Sequence, residues 1–181
     1  LNVRSAVNKG PLIQDIINSN NLDMLALTET WFSENDPDAV ILDLLPSEYN
    51  VLHVHRPSAT VARGGGLALV FRSMLSVKKH HLHATICPST YKLQLISLAS
   101  DKHEIVIANI YRPPSSSLPL FYEEISHLFT CFGDLIEKDK FVACGDFNCP
   151  GEPGSIDSML LSLFQLHGLK QHVARVAENA R

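Results

Sequence analysis

The chain has 181 residues, 45% of them hydrophobic and 19% charged, the proportions of a globular domain and not of a disordered or fibrous chain. That length builds one domain with a real core and is short for two, so residues 1–181 read as a single domain. A formal net charge of −4 argues against a protein that holds nucleic acid by bulk positive charge, and no apolar run approaches the ~20 residues that cross a bilayer.

Leu1-Asn2-Val3 reads as the end of a strand whose beginning is missing, as if cut from something longer. Pro11 suits a helix first turn, and Leu12, Ile13, Ile16 and Ile17 follow at helical spacing on one apolar face. Leu22 to Thr30 reads as a buried strand that closes on Thr28-Glu29-Thr30-Trp31. A carboxylate at that place, Glu29, is either solvated at a strand end or aimed at a cation. Residues 33–46 are acidic and contain Pro37, which predicts a loop with one short helix and a solvated Asp36, Asp38 and Asp43.

Tyr49 to His55 alternates as a strand with His53 and His55 on one face, a spacing that suits a metal but lacks a third ligand nearby. Arg63-Gly64-Gly65-Gly66 predicts a hairpin turn into a strand over 67–71, since the Lys-Ser/Thr of a phosphate-binding loop is missing. The basic run over 78–83 reads as a strand edge protected by charge. Residues 91–99 and 103–111 predict a strand pair turning at 100–102, with Asn109 and Tyr111 on one face of the second strand. Leu118 to Lys138 is the clearest amphipathic helix, with Glu123, Glu124 and Glu137 outside. Ser155 to Gln165 predicts another helix with Ser155 as its cap, Gly168 stops it, and residues 169–173 could begin one more strand. Cys87, Cys131, Cys144 and Cys149 lack paired metal spacing and are expected to be reduced, intracellular thiols.

The remaining stretch, Phe141 to Pro150, is an apolar strand running into Gly145, Asp146, Phe147 and Asn148. Period-two alternation sends Asp146 and Asn148 to one side and Phe147 into packing. Taken alone, this is either an Asx-type turn or a site at a strand's carboxyl end. Glu29, Tyr111 and the Asp146/Asn148 pair then place oxygen-bearing groups at the ends of three buried strands, the groups that Mg²⁺ and phosphates accept.

The order Asn2-Val-Arg-Ser, Leu27-Thr-Glu29-Thr-Trp, Gly64-Gly-Gly-Leu-Ala-Leu, Asn109-Ile-Tyr111-Arg-Pro-Pro and Gly145-Asp146-Phe-Asn148 resembles the endonuclease/exonuclease/phosphatase superfamily. The Trp after Thr-Glu-Thr, Tyr-Arg-Pro-Pro and Gln171-His172-Val173 are similar to the endonuclease domain of non-LTR (LINE-type) retrotransposons. The resemblance implies a two-sheet α/β sandwich with helices packed outside, here incomplete at the C-terminus. It implies that Glu29 holds Mg²⁺ (or Mn²⁺) with Asn2 beside it. Asp146 would orient or deprotonate the attacking water, and Asn148 and Tyr111 would bind the scissile phosphate. Arg4 and Arg112 lie beside this site, each either a phosphate contact or an ordinary surface cation. The implied reaction is hydrolysis of a DNA phosphodiester, nicking a target strand to prime reverse transcription. The implied setting is the nucleus, with the element's RNA and a reverse transcriptase domain as partners. The family's late Asp and its Ser-Asp-His-type ending have no counterpart in Asp157, His167 or His172, which predicts that this segment is inactive or nearly so. Two other readings stand beside this one, a catalytically dead binding remnant and a phosphatase of small phosphate esters.

Overall fold

The computed structural model of the chain describes residues 1–56, 65–81, 85–99, 104–149 and 157–172. The elements in order are α1 (Gly10–Ser19), β1 (Met24–Thr28), α2 (Asp38–Leu42), β2 (Tyr49–Val54), β3 (Leu67–Arg72), β4 (Ser76–Lys79), β5 (Lys92–Ala99) and β6 (Glu104–Tyr111). They continue as α3 (Leu118–Cys131), α4 (Gly133–Glu137), β7 (Phe141–Asp146) and α5 (Ser158–Leu166). Two sheets form, one antiparallel in the order β1-β3-β2 and one in the order β4-β5-β6-β7, whose last pair is parallel.

Strand alternation gives each sheet two apolar faces, and the molecule buries both. Leu69, Phe71, Ile96 and Ile107 meet between the sheets. Ile13, Ile17 and Ile41 from α1 and α2 cover the outer face of the first sheet. Phe121, Ile125, Leu128 and Phe129 of α3, with Leu160 of α5, cover the outer face of the second. This is the two-sheet α/β sandwich with helices outside.

Several local expectations change in detail. The helical run over 118–138 breaks at Phe132, which ends α3 and begins α4, although the apolar spacing continues through it. The cap of α5 is Asp157, whose carboxylate accepts the Leu160 N–H; the expected cap, Ser155, lies outside the described residues. Leu12 does not join the buried face of α1 and is 56% exposed. Glu124 does not simply face solvent but accepts hydrogen bonds from Ser89 and Thr90. Residues 169–172 take no regular structure, and Val173 lies outside the described residues. Lys78 and Lys79 are exposed on the edge strand β4, and His83 again lies outside.

The register positions the rim of the sandwich. Residues 1–3 run alongside the end of β1, with an Asn2–Thr28 parallel bridge and the Val3 N–H on the Thr28 carbonyl. β6 and β7 run parallel with Tyr111 opposite Asp146, so their carboxyl ends finish level. Asn109 donates to the Leu27 and Ala68 carbonyls of the first sheet and to Gln94 of its own, a buried polar tie that holds β6 against β1. Two residues on, Tyr111 emerges from the same face at the rim.

Candidate active site

The polar side chains at this rim are delivered by strand ends, and around several of them the backbone leaves strand geometry. Glu29 follows β1 at φ 56°, Trp31 has φ 64°, and Asn148, two residues past β7, has φ 45°. Arg4 and Ser5 share this left-handed region at φ 43° and 79°. Non-glycine residues adopt it at a cost of about 1 kcal/mol or more each, and such strain gathers where surrounding contacts over-determine the backbone. Two glycines make room. A Cβ on Gly145, at φ 129°, would stand 1.9 Å from the Ile110 carbonyl oxygen, and one on Gly66 would stand 2.4 Å from Thr30 Oγ1.

Asn2, 144 residues from Asp146 in sequence, joins the two acids. Its Nδ2 donates to Glu29 Oε1 at 3.0 Å and to Asp146 Oδ2 at 2.7 Å. The Asn2 carbonyl oxygen accepts the Arg4 backbone N–H at 3.1 Å, which fixes which end of the amide faces the acids. Asp146 Oδ1 accepts the Asn148 N–H at 3.1 Å, and Glu29 Oε2 accepts a longer bond, 3.4 Å, from Trp31 Nε1. Tyr111 is 5% exposed and lies beside Glu29 and Asp146. Burial first, then the neighbouring Glu29 and Asp146 carboxylates, push the phenol pKa up, so Tyr111 stays a neutral O–H donor.

All five residues expected at the site therefore meet at one rim: Asn2, Glu29, Tyr111, Asp146 and Asn148. The donor set suits a hard divalent cation, because two half-buried carboxylates converge with lone pairs left unused. As placed, Asn2 presents its NH₂ and not its oxygen to that position. Arg4 is exposed beside the site. Arg112 departs from expectation: at 2% exposed it is not a surface cation. Its Nη1 donates to the Asn148 carbonyl at 2.8 Å and its Nη2 to the Ser116 carbonyl at 3.0 Å. Sequence reasoning did not foresee the Trp31–Glu29 contact; the indole two residues past the acid was its only signal.

Other polar side chains have separate tasks. Asp157 accepts the Tyr122 hydroxyl at 2.7 Å in addition to capping α5, and His167 pairs with Ser126 at 2.9 Å against the Phe129 ring. His53 and His55 bring their Nε2 atoms to 3.0 Å; burial and then the neighbouring ring lower the His53 pKa. Among the described residues no group of three His, Cys, Asp or Glu side chains is placed to hold a metal, and no helix is long and apolar enough to cross a membrane. Burial pushes the Cys149 thiol up to about 11, so it stays protonated.

A family model described as the endonuclease/exonuclease/phosphatase family matches residues 1–166. The chain belongs to this family. Solved structures of similar fold include the endonuclease domain of TRAS1, a telomere-specific non-LTR retrotransposon, at 11% identity and a TM-score of 0.63, covering 96% of this chain and 73% of that one. The AP endonuclease LMAP from Leishmania major aligns at 14% identity and a TM-score of 0.67, covering 92% of this chain and 65% of its own. A 3′ phosphatase, NExo from Neisseria, bound to a product DNA hairpin, aligns at 19% and 0.58, covering 91% and 66%. The chain thus spans about two thirds to three quarters of these family structures. No curated protein matches it.

Proposed function

We propose that this chain is part of a metal-dependent DNA endonuclease of retrotransposon type, which nicks a target strand and leaves a 3′-hydroxyl that primes reverse transcription. The observation that carries this reading is the Asn2 amide bridging Glu29 and Asp146 with Tyr111 close beside them, a cluster of hard donors at the rim of a nuclease-family sandwich. DNA as substrate is supported by the similar structures, which include a retrotransposon endonuclease domain, an AP endonuclease and a phosphatase bound to a DNA hairpin. The nucleus, the element's RNA and a reverse transcriptase domain follow from the same reading.

Glu29 would hold Mg²⁺ or Mn²⁺, with Asn2 joining once its amide turns its oxygen inward. When bound, the cation supplies charge stabilisation at the phosphoryl oxygen and the leaving alkoxide. Asp146 is the base that orients and deprotonates the attacking water. Tyr111 donates its retained proton to a phosphate oxygen. Asn148 keeps one amide N–H on the Arg112 carbonyl, at 2.7 Å, and offers the other to the same phosphate. Arg4 is the exposed cation for the DNA backbone. Asp157 and His167, downstream of Asp146, are committed to Tyr122 and Ser126, so we expect this chain to nick slowly.

Relaxation of supercoiled plasmid in Mg²⁺ tests the proposal. Slow nicking that disappears in Asp146→Ala and Glu29→Gln supports it, and nicking that survives Asp146→Ala contradicts it. The Asn2 NH₂ lodged between the two acids favours a second reading, a binding remnant, which predicts duplex binding without any nicking. Hydrolysis of small phosphate esters in preference to DNA would instead indicate a phosphatase.

A further inference from the structure

We propose that Arg112 is a positioning residue for the phosphate-binding turn, acting through Asn148 and not on DNA directly; this rests on the phosphate role given to Asn148 above. Three separate parts of Arg112 grip the Asp146–Asn148 turn. Its backbone N–H donates to the Asp146 carbonyl at 3.0 Å, extending the parallel β6/β7 ladder by one rung. Its carbonyl accepts Asn148 Nδ2 at 2.7 Å, and its Nη1 returns a bond to the Asn148 carbonyl at 2.8 Å. The side-chain amide of Asn148 is thereby oriented, and its backbone is held in the left-handed region at φ 45°.

The guanidinium is itself anchored. Nη2 donates to the Ser116 carbonyl at 3.0 Å, and the Arg112 Cζ lies 5.6 Å from the centroid of Phe121, a fully buried ring of α3. Planar, forked donors allow one side chain to bridge two carbonyls in fixed directions, and a lysine ammonium lacks that geometry. Among the described residues no carboxylate lies within ion-pair distance of Arg112, so carbonyl oxygens and an aromatic face are what hold it. At 2% exposure the side chain does not reach a DNA backbone. The Arg of the Tyr-Arg-Pro-Pro motif thus serves the site from beneath.

A double-mutant cycle on the 181-residue chain separates these possibilities, with a short DNA duplex in Ca²⁺ as the binding probe and Mn²⁺ quenching of Trp31 as the cation probe. Arg112→Lys is expected to weaken duplex binding about tenfold in the parent and less than about twofold in Asn148→Ala, with Mn²⁺ quenching unchanged in both. An equal loss in both backgrounds would show Arg112 acting independently of Asn148 and overturn the inference. If Asn148→Ala weakens binding and Arg112→Lys does not, the positioning role alone falls. If Asn148→Ala itself leaves duplex affinity intact, the phosphate reading falls with it. Should Arg112→Lys not fold, NMR of the unmodified chain decides. One Asn148 side-chain proton protected from exchange and resolved Arg112 guanidinium signals are expected; free averaging of both would refute the lock.

Discussion

Glu124 on α3 and the rim acids Glu29 and Asp146 belong to one sandwich and are satisfied to different degrees. Each oxygen of Glu124 accepts two hydrogen bonds, Oε1 from the Ser89 N–H and hydroxyl at 2.9 and 2.6 Å, Oε2 from the same pair on Thr90 at 3.0 and 2.5 Å. Burial alone would push its pKa up, but those bonds outweigh it and leave the group below the ordinary glutamate value. Among the described residues, Asp146 accepts only from Asn148 and from an Asn2 amide that it shares with Glu29, and one of the bonds to Glu29 is 3.4 Å long. A carboxylate with every lone pair filled by protein donors fastens a loop to a helix. A pair with acceptor capacity in hand is equipped to receive something from outside.

The sharpest way to break this contrast is to neutralise one acid of each kind. Asp146→Ala and Glu29→Gln are expected to lower plasmid nicking by about 10²-fold or more, the scale of removing a catalytic base or metal ligand, while Glu124→Gln leaves the nicking rate unchanged. A reversed ranking would refute the assignment. Next in size, Gly145→Ala puts a Cβ against the Ile110 carbonyl at a φ of 129° and should cost about 3 kcal/mol in urea unfolding, because β6 and β7 must separate. A loss below about 1 kcal/mol would mean that the rim yields easily. Glu124→Gln should cost about 1–2 kcal/mol, since charge-assisted bonds become ordinary ones. The smallest effect is its pH dependence. A lowered folded pKa gives stability that is complete above the unfolded value of ~4.3 and lost as the pH falls through the folded one. The stability gap between parent and Glu124→Gln should therefore narrow only below about pH 4; a gap constant down to about pH 2 would argue that charge has no part in it.

Much of the architecture was legible because period-two and helical spacings are imposed by burial on one or both faces. The strands β1, β2, β3, β5, β6 and β7 and the helices α1, α3 and α5 all follow such runs, with ends shifted by a few residues. The break at Phe132 was not legible, since its apolar spacing fits a continuous helix; at the break its ring packs on Phe141 and His80. Asp157 caps α5 and its carboxylate also accepts the Tyr122 hydroxyl of α3, a second task that local spacing does not announce. At the site, strand alternation put Asn109 and Tyr111 on one face, and Asp146 at a strand's carboxyl end. Nothing in local spacing joins Asn2 to Asp146; motif order alone suggested it. The burial of Arg112 was hidden as well, because an arginine beside two prolines reads as surface loop until the Asn148 and Ser116 carbonyls are seen around it.

Trp31 is the sole tryptophan of the chain, and its Nε1 contacts Glu29, so its fluorescence reports directly on the rim. Mn²⁺ titration of the parent chain, Glu29→Gln and Glu124→Gln is the most direct test of a cation held at that position. Saturable quenching is expected in the parent and in Glu124→Gln, and its loss in Glu29→Gln. Equal quenching in all three, or none in the parent, would contradict a cation held there.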